Sequence, residues 1–196
     1  MDLTRDQGAS ELFHAQSHLY RHIFSFISSM FLKCAVQLGI SDIIHNHGQP
    51  ITLPELVLEL QINPTKAGFL HRLMRLLVHC GLFATTRVHK NQEDEEEAYD
   101  LTPSSRILLK DNITSLSPFV VAMLDPALVT PWQVLGNWFR CDQVTPFEGA
   151  HGVGFWDFGD QNPEFNKLFN EAMASDSGMM NLLSETASQF LRVWIH

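Results

Sequence analysis

Cysteine is scarce in this chain, long apolar runs are missing, and positive charge is outnumbered; each shortage removes a class of protein. Cys34, Cys80 and Cys141 are the three cysteines in 196 residues, widely spaced and odd in number. That suits neither a disulfide framework nor a zinc ribbon, points to a reducing compartment, and makes all three read as small core residues. Residues 1–10 carry Asp2, Arg5 and Asp6 without a sustained apolar stretch, unlike a secretory signal, so the expected location is cytoplasmic. Polar residues break every apolar stretch, His18, Arg21, His22 and Lys33 in the first, so no membrane role is expected. The formal net charge of −9 repels a phosphate backbone. Part of that charge is local, since Glu93, Asp94, Glu95, Glu96 and Glu97 run together and read as a solvated loop tip. There is no glycine-rich nucleotide loop, no evident nucleophile and base pair, no internal repeat and no low-complexity linker.

What is present is a helical pattern, in a chain that is 45% hydrophobic. From Ala9 to Leu38 neither proline nor glycine occurs, and Leu12, Leu19, Ile23, Phe26, Ile27, Met30, Phe31, Cys34 and Leu38 recur at spacings of three and four. One long helix ending at Gly39 is expected, with an apolar stripe wide enough to suggest packing against a second subunit. Thr52, Leu53, Pro54 and Glu55 have the form of a capping box opening a short helix to about Leu60. Asn63 and Pro64 open another, whose Phe69, Leu70, Leu73, Met74, Leu76, Leu77 and Cys80 are expected to face inward before Gly81 stops it. Leu82–Val88 and Ala98–Leu101 read as two strands of a hairpin, so the order is that of a winged helix. Thr102 and Pro103 begin a further helix, 126–139 is amphipathic, and Asn162 and Pro163 open a final helix through about Leu183.

Three places in this pattern carry chemistry worth weighing. His14, His18 and His22 share one helix face, but no further ligand accompanies them, so a polar face and no metal is the expectation. Lys66, His71, Arg72 and Arg75 lie where a winged helix would read DNA, yet the acidic hairpin and the anionic chain argue against nucleic acid. The C-terminal half is dense in Met123, Trp132, Trp138, Phe139, Phe147, Phe155, Trp156, Phe158, Phe165, Phe169, Met173, Met179 and Met180. Most of these read as core, though aromatic and thioether side chains also line pockets for flat aromatic ligands.

The strings "ELFHAQSHLYRHIFSFISSMFLKCAVQLGISDIIHNHGQPITLPELV", "LHRLMRLLVHCGLF", "YDLTPSSRILL", "AMLDPALVTPW" and "FNKLFNEAMASDS", in this order, resemble the plant phenolic O-methyltransferases that use S-adenosylmethionine (SAM). The resemblance runs from about Ser10 to about Leu183 and is closest to the resveratrol and orcinol type. It implies a mainly α architecture: a winged-helix-like dimerisation domain at 1–110, helices of the substrate pocket at 111–183, and a divergent tail at 184–196, with the Rossmann-like SAM domain not represented. It implies that Met123, Phe165, Phe169 and Met173 line a phenol pocket and that Phe26 enters the neighbour's pocket across a homodimer or heterodimer. Ser175, Asp176 and Ser177 correspond to positions near the cofactor. The family's "DVGGGTG"-like loop and its general-base histidine have no counterpart in these residues, and His196 matches nothing, so the chain alone is expected to be inactive and not to hold SAM tightly. The alternatives are a free-standing dimerisation partner of full-length relatives and a winged-helix nucleic-acid binder.

Overall fold

Residues 9–38 carry no proline or glycine, and α1 (Leu3–Leu38), which also takes in Gly8, runs unbroken to Gly39. The computed structural model describes the backbone of residues 3–89 and 95–194 and the side chains of 8–89 and 95–186. Gly39 takes φ 67°, a left-handed conformation that side-chain-bearing residues avoid, and α2 (Ile40–His47) departs from α1 at a bend of 53°. β1 (Ile51–Thr52) leads into α3 (Leu53–Glu59). Glu55 reaches back as the capping box requires: Thr52 N–H donates to Glu55 Oε2 at 2.8 Å and the Thr52 hydroxyl to the same oxygen at 2.6 Å. A 3-10 turn at Pro64–Lys66, started by the Asn63 side chain accepting from Thr65 N–H at 3.0 Å, opens α4 (Ala67–His79). β2 (Phe83–His89) and β3 (Glu95–Leu101) pair antiparallel, and β1 joins the other edge of β3.

This order of α2, β1, α3, α4, β2 and β3 is the expected winged-helix arrangement, built around one core. Ile40, Ile44, Ile51, Leu56, Met74, Leu77, Phe83 and Tyr99 are buried together, and Ala35 brings the C-terminal part of α1 against them. Most of the inward face of α4 is as expected, with Leu70, Leu73, Met74 and Leu77 at the i, i+3, i+4, i+7 spacing. Phe69 is not part of it: its ring is 61% exposed, with Lys66 Nζ at 5.4 Å and the Arg72 guanidinium at 5.6 Å. Cys80 and Cys141 are exposed rather than core, and Cys34 is half-buried. Cys80 follows the end of α4, beyond the periodic stretch that turns side chains inward. The acidic run also differs from a plain loop tip. Glu95, Glu96 and Glu97 belong to β3 and pair opposite His89, Val88 and Arg87, because buried Ala98, Tyr99 and Leu101 set the register that carries them into the ladder; Glu93 and Asp94 lie outside the described residues.

α5 (Pro103–Arg106) begins as expected: Thr102 N–H donates to Ser105 Oγ at 2.9 Å, while the Thr102 hydroxyl donates to Leu82 O at 2.8 Å and ties the helix to the hairpin. α6 (Ser117–Met123) packs against the last helix, α11 (Pro163–Trp194), with Ala122 and Ala172 both fully buried. The helix expected over 126–139 is two: α7 (Pro126–Gln133) and α8 (Leu135–Trp138). Pro131 lies inside α7 and cannot donate to the carbonyl four residues back, Ala127 O, which instead accepts from His151 Nε2 at 2.9 Å. α9 (Pro146–His151) and α10 (Phe155–Gln161) complete the chain order before α11. α11 continues well past Leu183, because residues 184–194 contain neither glycine nor proline to end it. His196 lies outside the described residues.

Candidate acceptor pocket and assembly face

The aromatic half folds its rings together around α9, α10 and the first turns of α11. Thr145 accepts from Glu148 N–H at 3.1 Å to start α9, which sets Phe147 and His151 one turn apart. His151 lies against Phe147 and Phe158, with ring centroids 4.4 and 4.6 Å away. Phe155 meets Phe165 at 5.9 Å and Phe169 at 5.0 Å, and Phe158 meets Phe165 at 5.3 Å. Phe165 and Phe169, one turn apart on α11, stand 6.1 Å apart with planes tilted by only 25°. Phe165 is buried and lines a cavity of about 760 Å³ with Asp125, Ala127, Phe158, Asn162 and Leu168.

The five residues assigned to an acceptor pocket are therefore gathered unequally. Phe165 and Phe169 are in one ring cluster. Met123 ends α6 and Met173 lies on α11, both half-buried, on two helices that pack against each other. Phe26 is elsewhere within the chain, 60% exposed on α1. The Ser175 hydroxyl donates to Ser115 O, fastening α11 to the turn before α6; Asp176 is half-buried and Ser177 exposed. Trp132, Phe139, Trp156 and Met180 are exposed on the outer sides of α7, α10 and α11 and just after α8, so they are not core. Spacing did not single out His151 or Lys33. The one signal for His151 was Pro131, which frees a carbonyl needing a donor; Lys33 Nζ donates to Leu124 O at 2.7 Å and joins α1 to the end of α6.

Two other surfaces bear on what the chain does. Along α1, Leu12 (73% exposed), Phe13, Leu19, Tyr20, Ile23, Phe24 and Phe26 stand open to solvent, an apolar face that none of the described residues covers. Between α4 and the sheet lies a groove of about 530 Å³ lined by Arg72, Arg75, His79, Thr85, Glu97 and Tyr99, so a carboxylate shares the wall with the arginines. Burial, and then the Glu97 charge, push the Tyr99 hydroxyl above its ordinary value, and burial alone pushes the Cys34 thiol up. Among the described residues no three His, Cys, Asp or Glu side chains gather as a metal site, and no single helix is long and apolar enough to cross a membrane.

The chain thus joins a winged-helix unit, preceded by a long helix with an open apolar face, to a helical segment whose aromatic rings cluster beside a cavity. The chain matches the O-methyltransferase dimerisation domain over residues 20–111, and the curated relatives it resembles are plant O-methyltransferases. It is 51% identical over 192 residues to the trans-resveratrol di-O-methyltransferase of Vitis vinifera, covering 97% of this chain and 53% of that protein. That match reaches beyond 10–183. An isoflavone 4'-O-methyltransferase of Lotus japonicus is 48% identical over 93% of this chain and 52% of its own length. The chain spans about half the length of the curated relatives it matches. Its fold is that of the corresponding part of mitomycin 7-O-methyltransferase (TM-score 0.65, 22% identity, 86% of this chain and 46% of that one). Human N-acetylserotonin methyltransferase, solved with SAM, gives a TM-score of 0.67 at 17% identity, over 84% of this chain and 46% of that one. The described strands form one antiparallel sheet, so the Rossmann-like SAM domain is not among them.

Proposed function

We propose that the chain forms the dimer contact and part of the acceptor pocket of an O-methyltransferase acting on a phenolic hydroxyl of plant secondary metabolism. The observation that carries the proposal is the face of α1, where Leu12, Leu19, Ile23 and Phe26 are all more than half exposed although they are apolar. A second copy, or a full-length relative, covers that face in this reading. Phe165 and Phe169 hold one side of a planar ring, Met123 and Met173 adapt around it, and Phe26 enters the partner's pocket. SAM supplies the methyl group in such enzymes; the sequence carries no glycine-rich nucleotide loop and the described strands form no parallel sheet to bind it, so the share of these residues is the acceptor side. Ser175, Asp176 and Ser177 approach the cofactor from that side. The proposed compartment is the cytoplasm, in keeping with three cysteines that form no disulfide.

The test is the oligomeric state of the tag-free chain by light scattering at micromolar concentration. A dimer near twice 22.3 kDa, or a stoichiometric complex with a full-length relative, is expected. A monomer that ignores full-length relatives would remove the proposal's basis.

A further inference from the structure

Spacing puts three histidines along one side of α1, and the fold brings two of them together. The Nε2 atoms of His18 and His22 are 3.3 Å apart, and the rings meet edge to face with centroids 4.7 Å apart. His14, one turn earlier, lies against the Phe13 ring instead. Both members of the pair are exposed, so an ion reaches them without opening the fold. With no metal, one Nε2–H donates to the lone pair of the other ring.

The same separation suits two ligands of one ion. Metal–nitrogen bonds of about 2.0–2.1 Å at a tetrahedral angle put two donors about 3.3–3.4 Å apart, whereas neighbouring corners of a square plane stand about 2.9 Å apart. The observed 3.3 Å matches the tetrahedral value, which is the geometry of zinc rather than of copper or nickel. We propose that His18 and His22 form a two-imidazole zinc site on the first helix. On binding, the ring that donated its Nε2 proton carries it on Nδ1, so both Nε2 lone pairs face the ion and no proton is lost overall. No third protein ligand is gathered with them among the described residues, and water takes the remaining positions, so the site is weaker than a closed four-ligand one. At 100° per residue the pair lies roughly a quarter turn around α1 from Leu19, Ile23 and Phe26. It therefore sits at the rim of the apolar face and stays open to solvent whether or not that face is covered. The clamp joins i to i+4 and holds one turn of α1 closed.

Zinc titrated into the full, tag-free chain by calorimetry tests this, with His18→Gln and His22→Gln as variants. Glutamine keeps a good helix former at an exposed position, and circular dichroism checks that α1 survives. The comparator is His47→Gln, since His45 and His47 form a closely spaced pair outside α1, and the His47 Nδ1 already meets Gln49 O at 3.0 Å. One zinc per chain is expected, with affinity falling about tenfold or more in each of the first two variants and unchanged in the third. Zinc should also raise the thermal midpoint of the wild type and not of His18→Gln. Absence of binding, binding that survives both variants, or equal loss in His47→Gln would overturn the site.

Discussion

Tyr99 is 1% exposed in the core and lines the groove it shares with Glu97. Burial and that neighbouring carboxylate hold its hydroxyl above the ordinary value, so the folded chain keeps the proton longer than the unfolded chain, whose tyrosines titrate near 10. Stability from this source is complete below about pH 10 and is lost as pH rises through the raised folded value. Urea midpoints between about pH 8 and 11 should fall more steeply for wild type than for Tyr99→Phe. Cys34 contributes with the same sign from a lower start, because a thiol ordinarily loses its proton before a phenol does, so both proteins are compared with Cys34 intact. An equal slope in the two would mean that Tyr99 ionises without unfolding. The three thiols separate by exposure as well: at neutral pH a maleimide should label Cys80 and Cys141 first and half-buried Cys34 last, read by intact mass against time. The cysteine count spoke to disulfides but not to burial, because burial depends on which side of a helix end a residue falls.

Helix starts were legible where the chemistry is local. Thr52 with Glu55, Thr102 with Pro103, and Pro163 after Asn162 each fix a start from a few neighbouring atoms, and the structure puts helices there. Thr102 carries more than its cap, since its hydroxyl donates to Leu82 O on the hairpin side. Thr102→Ala should therefore lower unfolding stability by about 1–2 kcal/mol, measured by urea denaturation, and a loss under about 0.5 kcal/mol would reduce it to an ordinary surface position. Elements set by distant partners were less legible. β1 is two residues long and exists because β3 offers it an edge. Glu95, Glu96 and Glu97 lie in β3 because pairing with β2 outweighs the poor strand preference of glutamate. α7 tolerates Pro131 because His151, 24 residues on from Ala127, satisfies the freed Ala127 carbonyl. His151→Ala should cost about 1–3 kcal/mol, combining an unsatisfied carbonyl with lost ring contacts to Phe147 and Phe158. Of the candidate pocket, the join of Phe165 to Phe169 follows from helical spacing, whereas the partners Phe155 and Phe158 come from α10 folding back on α11.

At the scale of the whole molecule, one face does two jobs in the proposed function, and they can be separated. The exposed apolar side of α1 makes the assembly contact, and Phe26 within it is also assigned to the partner's pocket. Ile23→Glu places a charge in the contact and should convert the dimer to monomer, while the core around Ile40, Leu56 and Met74 keeps the same thermal midpoint apart from the loss of partner stabilisation. Phe26→Ala removes a ring from the pocket but only part of the contact. The informative setting is a complex with a full-length relative, since in this reading the chain contributes the acceptor side and not the SAM site, and alone should give no methylated phenol. In that complex, Phe26→Ala in this chain should raise the relative's KM for its phenol by about tenfold, near 1.4 kcal/mol of lost apolar contact, with complex mass unchanged by light scattering. A KM that stays fixed while the complex holds would confine Phe26 to assembly. A complex that falls apart on Phe26→Ala would make it part of the contact first, and the shorter Phe26→Leu, which keeps apolar bulk without the flat ring, would then separate packing from ring recognition.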